Sequence, residues 1–290
     1  MFTPIVPTNS PDTIFEPDYF CSVPCIGHTR FTSPSVRQWV KAKQLIGVLI
    51  CRIPSSHQVN LIVHSDRIGD NIPEELIDDD IYYNKFKGPN QTKSLRDFHN
   101  LYVKNKLIKS VSNPGDILID YAVGKGGDLP KWISAKLKFV FGLDLSRDNI
   151  ENRLDGICAR YLNYKKKFKM IPDGLFINGT ANKNIKSLNS QYNDKAKQIT
   201  KAIFGEGTND ESLLGKGVSK LYGIAKDGFN ISSIQFAIHY MFENKDTLNQ
   251  FLINLAECTK LGGYFIGTSY DGAKVFNLLK NKKQNESLIL

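Results

Sequence analysis

Short apolar runs alternate with amphipathic stretches through the second two thirds of the chain. The runs predict five strands, at residues 117–120, 139–143, 175–177, 231–236 and 264–267. Between the last two, Leu248, Phe251, Leu252 and Leu255 have the spacing of a helix that packs one face on a core. Strands that alternate with helices indicate a parallel sheet covered on both faces. The sequence therefore predicts a doubly wound α/β domain.

One long segment, residues 183–228, interrupts this alternation between the third and fourth strands. A short helix is predicted at residues 194–204, and the remainder is rich in lysine, asparagine and glycine. A connection of this length without structure is uncommon unless it has a function. Two interpretations stay open: a solvated insertion, or a lid that covers a substrate.

The first 70 residues differ from the rest, because they hold seven of the twelve prolines and two β-like runs, at 45–53 and 59–64. An acidic run at 73–80 and a helix breaker at 88–90 follow. We therefore predict a small N-terminal appendage over residues 1–75 and a larger α/β domain over residues 76–290.

The composition is that of an ordinary globular protein, with 41% hydrophobic and 23% charged residues. The longest strongly apolar run, residues 45–51, is far too short to span a bilayer, and the N-terminus has no secretion signal. We expect a chain of a reducing, cytoplasmic compartment without a membrane contact. Cys21, Cys25 and His28 are spaced like zinc ligands, but no fourth ligand lies nearby. A turn is the favoured interpretation, and no metal is expected.

The net charge of +9 and the sequence pI of about 9.1 predict a surface that attracts polyanions. Nucleic acid is the first partner to consider. A basic surface that only keeps the chain in solution is the alternative, so local motifs have to decide.

The sharpest local signal is the sequence DILIDYAVGKGGDLPKW at residues 116–132, where an apolar strand runs into a glycine-rich turn. Glycines there allow backbone N–H groups to approach a nucleotide-like ligand. Twenty residues beyond Gly124, the next strand ends at Asp144, whose carboxylate can accept hydrogen bonds from ribose hydroxyls. A helix cap is the other interpretation of Asp144. NAD and S-adenosylmethionine (SAM) both fit these two signals.

Four motifs in this order resemble the guanine-N7 methyltransferase domain of mRNA capping enzymes, especially those of large DNA viruses. They are RDFHNLYVK (96–104), YAVGKGGDLPKW (121–132), SIQFAIHYMFEN (233–244) and GGYFIGTSYDG (262–272). The resemblance covers residues 93–276. It implies a SAM-dependent, Rossmann-like methyltransferase that acts on capped RNA, together with other capping-enzyme domains or subunits. If the protein is viral, it implies a place in a viral factory or virion.

The resemblance also assigns roles to eight residues. Five would bind the cofactor: Lys104, Gly124, Asp144, Gln235 and Tyr240. Three would contact the cap: His99, Asn100 and His239. No residue is expected to act as acid or base, because guanine N7 already carries a lone pair and alignment for in-line displacement suffices.

The chain departs from the family at two places. Thr180 stands where the family usually has an acidic residue at the adenine edge. The chain also ends at Leu290, where the family continues into an antiparallel hairpin beside the fifth strand. The domain over residues 76–290 is therefore expected to be incomplete at its C-terminus. The unpaired edge of strand 264–267 predicts self-association, or a strand borrowed from residues 45–53.

Two other functions fit parts of the same pattern. One is a SAM-dependent methyltransferase of a different substrate, which would share the glycine turn but not the cap motifs. The other is a non-catalytic RNA-binding or subunit-interaction module derived from a methyltransferase, which Thr180 and the expected C-terminal gap favour.

Overall fold

The computed structural model describes residues 46–52 and 97–281, and its centre is a six-stranded sheet. The strands are β1 (Ile46–Arg52), β2 (Ile117–Asp120), β3 (Phe139–Asp144), β4 (Asp173–Asn178), β5 (Phe229–Gln235) and β6 (Thr259–Tyr270). They lie in the order β1-β6-β5-β2-β3-β4, with β2 to β6 parallel and β1 antiparallel. The predicted doubly wound α/β fold is confirmed, and each of its five predicted strands is present.

Helices connect the parallel strands and cover both faces of the sheet. Within the described residues they are α1 (Lys104–Val111), α2 (Leu129–Ser134), α3 (Arg147–Glu151), α4 (Ile157–Lys167), α5 (Asp194–Phe204), α6 (Glu211–Leu214), α7 (Lys216–Ser219), α8 (Lys245–Cys258) and α9 (Gly272–Leu279). A π-helical turn (Phe98–Val103) leads into α1, and a 3-10 turn (Ile238–Phe242) follows β5. Side-chain caps fix the starts of α3, α5 and α8, at Ser146, Asn193 and Asn244.

The sheet separates two apolar cores. Every residue of β2 is buried, and successive side chains point to opposite faces, so Ile119 and Leu118 lie in different cores. One core joins Ile119 to apolar residues of α5 and α8, and the other joins Leu118 to residues of α1, α2 and α4. Burial on both faces explains why β2 and β3 are continuous apolar runs rather than alternating ones.

The outer edge of β6 is paired with β1. The register runs antiparallel from Ile46 opposite Tyr270 to Arg52 opposite Tyr264. The predicted strand from residues 45–53 is therefore confirmed, and it occupies the position that the family resemblance gives to a C-terminal hairpin. The backbone groups along this edge of β6 thereby gain partners, which removes the physical reason for the predicted self-association.

The interpretation of residues 183–228 as a solvated insertion is wrong, whereas the lid interpretation stays a prediction. The predicted helix at residues 194–204 is present as α5, but the segment is the covering crossover between β4 and β5. Ile185, Ile203 and Ala225 are buried in the core that contains Phe229 of β5. The apolar positions are widely spaced among lysines and glycines, so their shared buried face is not evident from the sequence.

Candidate active site

The winding of the sheet changes direction between β2 and β5. From β2 the chain crosses to β3 and then β4 on one side, whereas β5 and β6 lie on the other side. In open α/β sheets, ligands bind outside the carboxyl ends of the strands at such a switch point. The glycine turn after β2, Asp144 at the end of β3 and Gln235 at the end of β5 all lie at this edge.

The glycine turn has two left-handed glycines with different surroundings. Gly124 has φ +53°, and a Cβ atom there would meet no atom within 4 Å. Gly126 has φ +72°, and a Cβ atom there would collide with the side chain of Ile157. The open space at Gly124 allows a ligand to approach the backbone, whereas Gly126 permits close packing of the turn on α4.

Charged groups hold the turn between these glycines. The Lys125 ammonium group lies 2.8 Å from carboxylate oxygens of both Asp148 and Asp155. Arg160 of α4 donates a hydrogen bond of 2.7 Å to the Lys125 carbonyl. The conformation of the turn is therefore fixed before any ligand arrives, which lowers the entropy lost on binding.

The Asp144 carboxylate lies directly against the glycine turn. Its Oδ2 accepts a hydrogen bond of 2.7 Å from the Gly124 N–H. Its Oδ1 accepts hydrogen bonds from the Ser146 N–H at 3.0 Å and the Asn149 side chain at 2.9 Å. Burial raises the pKa of Asp144, and these three hydrogen bonds oppose the shift. A carboxylate has about four acceptor positions, so one is left for a ligand hydroxyl.

The helix-cap interpretation of Asp144 is wrong. Ser146 is the N-cap residue of α3, and its hydroxyl accepts a hydrogen bond from the Asn149 N–H. The backbone of Asp144 is held in place by Asn178 at the end of β4, whose side chain donates hydrogen bonds to the carbonyls of Asp144 and Leu145. The Asp144 carboxylate instead links the glycine turn to Ser146 and Asn149 at the start of α3.

A second group of charges, which the sequence analysis missed, lies beneath the turn. Asp128 lies 2.8 Å from the Lys131 ammonium group and 3.5 Å from that of Lys104. Burial opposes ionisation of Asp128, but the two ammonium groups hold its pKa below the usual value. Burial, followed by repulsion from Asp128, raises the pKa of Asp120 to about 7. Asp128 and Lys131 have the i,i+3 spacing of an ion pair on a helix, but the sequence gives no signal that Lys104 joins them, because only the fold brings α1 against α2.

The end of β5 adds a buried amide and a strained aromatic residue. Gln235 donates a hydrogen bond of 3.0 Å to the Ser233 hydroxyl and accepts one of 3.0 Å from Thr268. Phe236, which follows it, has φ +58°, although it carries a side chain. Its N–H donates a hydrogen bond of 2.8 Å to the Thr268 carbonyl. Strain of this kind persists where the surroundings hold it, and it is found most often at functional sites.

Five rings from three segments form an aromatic cluster beside Gln235. The Phe236 ring centroid lies 5.3 Å from that of His99 and 5.9 Å from that of Tyr270. The His239 ring lies 4.1 Å from Tyr240 and 6.3 Å from Tyr270. The Lys104 ammonium group lies 5.7 Å from the Phe236 centroid, which links this cluster to the charged group. Tyr270 and Phe236 were not among the predicted site residues.

His99 and Asn100 lie on the π-helical turn before α1, one inside the protein and one outside. His99 is buried, and its Nδ1 has no hydrogen-bond partner within the described residues. Burial and the nearby charge of Lys104 lower the pKa of His99 to about 4, so the ring is neutral at physiological pH. Asn100 is exposed. A π-helical turn is a frequent feature of functional sites.

The structure brings seven of the eight predicted residues to the carboxyl edge in the expected groups. Lys104, Gly124, Asp144 and Gln235 surround the switch point, and His99, Asn100 and His239 lie on or beside the aromatic cluster. Tyr240 is the exception, because its exposed ring packs on the predicted cap residue His239. The assignments of all eight residues to cofactor or cap stay predictions.

Thr180 lies in a loop that is tightly held. Its hydroxyl donates a hydrogen bond of 2.6 Å to the Asn182 side chain, and its carbonyl accepts one of 2.6 Å from Ser190. Asn254 of α8 fixes the following residues with three hydrogen bonds of 2.8 Å, to the backbone of Ala181, Lys183 and Ile185. The loop after β4 is thus rigid without an acidic side chain at residue 180.

Comparison with known proteins decides between the cofactor classes left open by the geometry. Residues 85–288 match the profile of the mRNA (guanine-N(7))-methyltransferase domain. The chain belongs to this family. It is 31% identical over 206 residues to a probable mRNA-capping enzyme of Acanthamoeba polyphaga mimivirus, and 29% identical over 181 residues to an mRNA cap guanine-N(7) methyltransferase of Oryza sativa. This methyltransferase family is SAM-dependent, so SAM is the cofactor and NAD is excluded.

The matched regions are parts of larger relatives. They cover 71% of this chain and 16% of the mimivirus protein, and 62% of this chain and 40% of the rice protein. Among solved structures, a SAM-dependent methyltransferase from Clostridium acetobutylicum is similar, with 16% identity, a TM-score of 0.33 and coverage of 64% of this chain and 53% of that one. A likeness at this level has no bearing on function.

Two further findings concern the described residues alone. None of their helices is both long and apolar enough to cross a membrane. No group of three or more potential metal-binding side chains is found among them. The possible zinc ligands Cys21, Cys25 and His28 lie outside the described residues.

Proposed function

We propose that this chain transfers the methyl group of SAM to N7 of the guanine in the cap of mRNA. The observation that carries the proposal is the buried Asp144 carboxylate, which accepts a hydrogen bond from the Gly124 N–H at the switch point of the sheet. The chain also belongs to the guanine-N7 methyltransferase family. The curated relatives named above are capping enzymes or cap methyltransferases, but each is longer than its match to this chain.

The residues at the carboxyl edge fit the proposed cofactor. Asp144 keeps one acceptor position for a ribose hydroxyl, and the space above Gly124 is open to a ligand. Lys104 offers an ammonium group to a carboxylate, although it is shared with Asp128. Gln235 retains one N–H and one lone pair beyond its two hydrogen bonds. Tyr240 completes the proposed set from the 3-10 turn.

The aromatic cluster fits a planar base such as guanine. Phe236 and the exposed Tyr270 offer ring faces for stacking, and His239 extends the same surface. Asn100 is exposed beside His99 and offers an amide for hydrogen bonding to a base edge or ribose. We assign these residues, with His99, to the cap.

The proposed reaction needs no proton transfer by the protein. When bound, SAM supplies a methyl group on a positively charged sulfur, which the guanine N7 lone pair can attack directly. His99 is neutral, buried and has a pKa of about 4, so it is suited to shaping the pocket and not to acid catalysis. The contribution of the side chains is alignment, which is worth up to about 7–11 kcal/mol when the reacting atoms are held in line.

The experiment is a methyl-transfer assay with radiolabelled SAM, using GpppN-capped RNA and the same RNA uncapped. We expect label on capped RNA alone. Label on both RNAs would favour a methyltransferase of another substrate. Binding of S-adenosylhomocysteine (SAH) without any transfer would favour a non-catalytic module.

Two variants test the division of the site. His239→Ala and Asn100→Ala should leave SAH affinity unchanged and raise KM for capped RNA at least about fivefold, as expected when one stacking or hydrogen-bonding partner of a base is lost. Loss of SAH binding in a folded variant would contradict the division between cofactor and cap residues.

The domain organisation and partners belong to the same proposal. Residues 76–290 would form the methyltransferase domain, and residues 1–75 would contribute β1 to its sheet. Other capping-enzyme domains or subunits are the proposed partners, and the cytoplasm, or a viral factory if the protein is viral, is the proposed compartment.

A further inference from the structure

Lysines are concentrated at the amino edge of the sheet, opposite the candidate active site. Each chain segment that returns to this edge carries at least one lysine. Exposed examples precede β2, β3, β4 and β5, and they are Lys109, Lys136, Lys138, Lys165, Lys166, Lys167, Lys169 and Lys226. The densest group is residues 165–169, with the sequence KKKFK, which we call the basic segment.

The described residues do not neutralise the lysines of the basic segment. Across the described parts of the chain, no carboxylate oxygen lies within 4.0 Å of Lys166, Lys167 or Lys169. Asp173, at the start of β4, lines the same cleft as Lys165 but forms no ion pair with it. Four positive charges within five residues therefore face solvent, and they attract polyanions.

The basic segment also carries an exposed aromatic ring. Phe168 is 48% exposed, and its inner face stacks on Tyr164 with the centroids 5.5 Å apart. Met170, two residues on, is 82% exposed. A ring supported on one face and open on the other, between lysines, has the features of a base-stacking platform in a single-stranded nucleic-acid site.

Helix stabilisation explains only part of this arrangement. Lys165, Lys166 and Lys167 lie in the last turn of α4, where positive charge favours the helix dipole. That effect falls off within one turn, so it does not account for Lys169. It also gives no reason for Phe168 to remain exposed when apolar surface is normally buried.

A continuous route joins the basic segment to the glycine turn. Arg160 of α4 contacts the Lys125 carbonyl at the carboxyl edge, and the same helix ends at Lys167 near the amino edge. Its 11 residues span about 16 Å at 1.5 Å per residue. An RNA chain that leaves the active site therefore has a helix of suitable length to follow.

We propose that the basic segment binds the body of the RNA substrate, as single strand and without sequence preference, while the cap occupies the carboxyl edge. This inference extends the proposed function, because it concerns the same substrate at a second surface. RNA is favoured over an acidic protein because the exposed Phe168 ring adds a stacking surface to the charge.

The test is the triple variant Lys166→Glu/Lys167→Glu/Lys169→Glu, titrated with a fluorescent, uncapped single-stranded RNA of about 25 nucleotides at several salt concentrations. We expect affinity to fall at least about tenfold at low salt. The slope of log K against log salt should shrink by about 2, because each lost phosphate contact in single strands contributes about 0.7. SAH affinity and methylation of the short cap analogue GpppA should not change, whereas KM for long capped RNA should rise.

The matched control is Lys183→Glu/Lys201→Glu/Lys245→Glu, which changes the net charge equally at exposed positions elsewhere. It should keep most of the RNA affinity. An equal loss in both triple variants would mean that only the overall charge matters, and it would overturn the proposal.

The stacking part of the proposal is tested by Phe168→Ala. Loss of one stacked base should weaken RNA binding about fivefold or more and leave the salt slope unchanged. A variant that binds RNA like the unmodified chain would overturn the stacking role. The thermal midpoint of each variant is measured first, so that a loss of folding is recognised.

A competition experiment separates RNA from an acidic protein partner. A poly-glutamate peptide of similar charge should displace the RNA only weakly, and displacement as effective as that by unlabelled RNA would overturn the assignment. Failure of the proposed function looks different. If the chain neither binds SAH nor transfers a methyl group, but its RNA binding still depends on residues 165–169, the proposed function is rejected. The RNA-binding role of the basic segment is then retained.

Discussion

At the carboxyl edge of the sheet, Lys104, Lys125 and Lys131 each lie within ion-pair distance of an aspartate, whereas at the amino edge the basic segment extends into solvent. The first group is buried or nearly so and is fixed by its partners. The second group consists of exposed lysines that form no ion pair with the described residues. Lysines paired with aspartates stay at fixed positions, whereas exposed lysines without such partners create a positive potential that attracts anions.

This difference corresponds to two kinds of ligand. A small cofactor needs a few groups at fixed positions, because its affinity depends on preorganised hydrogen bonds. A long polyanion needs many replaceable contacts, because released counterions supply much of its affinity. The net charge of +9 therefore says little about the active site itself, where the aspartates around the glycine turn outnumber the lysines Lys104, Lys125 and Lys131.

The largest expected effect comes from removing β1, the strand that pairs with the outer edge of β6. A chain that begins at residue 85, the first residue of the family match, lacks β1 and leaves the outer edge of β6 unpaired. We expect self-association or loss of solubility, because an open apolar strand is a template for other chains. Gel filtration with light scattering should show a monomer for the full chain and larger species for the shortened one. A monodisperse shortened chain with unchanged thermal stability would contradict this.

The success of that strand prediction shows how far the sequence reaches. Residues 45–53 alternate little and match no family motif, but they are the strongest β-like run outside the domain, and strand 264–267 required a partner. The strands β2 and β3 were predictable for a similar reason, since continuous apolar runs flanked by turns have few other solutions. The glycine turn and Asp144 followed from their spacing along these strands.

Other parts of the site depend on contacts that the sequence does not encode locally. Asp128 and Lys131 are neighbours at the start of α2, but Lys104 of α1 and Asp120 of β2 join them only through the fold. Tyr270 reaches Phe236 because β6 and β5 are neighbours and end together. The crossover at residues 183–228 was misjudged because its buried positions lack a simple period.

The next largest effect should fall on cofactor binding alone. Asp144→Ala removes the acceptor of the Gly124 N–H and the position offered to ribose, so SAH affinity should fall more than tenfold, or about 1.4 kcal/mol. Calorimetric titration with SAH measures it. The control Asp227→Ala changes an exposed aspartate near the amino edge and should leave SAH affinity unchanged. RNA affinity should not fall in either variant, and a parallel loss in Asp144→Ala would break the separation of the two edges.

The two glycines of the turn should respond differently to the same substitution. Gly126→Ala forces a methyl group into Ile157 at a positive φ, and should lower the free energy of unfolding by about 2–4 kcal/mol. Gly124→Ala meets open space, so it should cost only about 1–2 kcal/mol from its φ while it weakens SAH binding. Urea unfolding and SAH titration measure the two effects.

Ile157→Val provides the matched suppressor for the glycine comparison. It removes the methyl group nearest to a Cβ at Gly126, so the double variant Gly126→Ala/Ile157→Val should recover part of the lost stability. The same change should bring no recovery to Gly124→Ala. Equal costs at both glycines would contradict the distinction between a packing position and a ligand-facing one.

The most gradual effect concerns the protonation of Asp120, which lies buried at the carboxyl end of β2. Its pKa in the folded protein is about 7, above the value of about 3.9 expected when unfolded. Between these values the folded state holds the proton more tightly, so stability is greatest below about pH 4 and is lost as pH rises towards 7. One such group changes the free energy of unfolding by at most about 1.4 kcal/mol per pH unit.

Asp120→Asn keeps the acceptor for the Ala122 N–H and removes the titration. Urea unfolding at pH 5, 6, 7 and 8 should therefore show the variant gaining on the unmodified chain as pH rises, whereas the exposed Asp227→Asn should follow the unmodified chain throughout. A constant difference between Asp120→Asn and the unmodified chain would mean that Asp120 is ionised across this range, with Lys104 outweighing its burial.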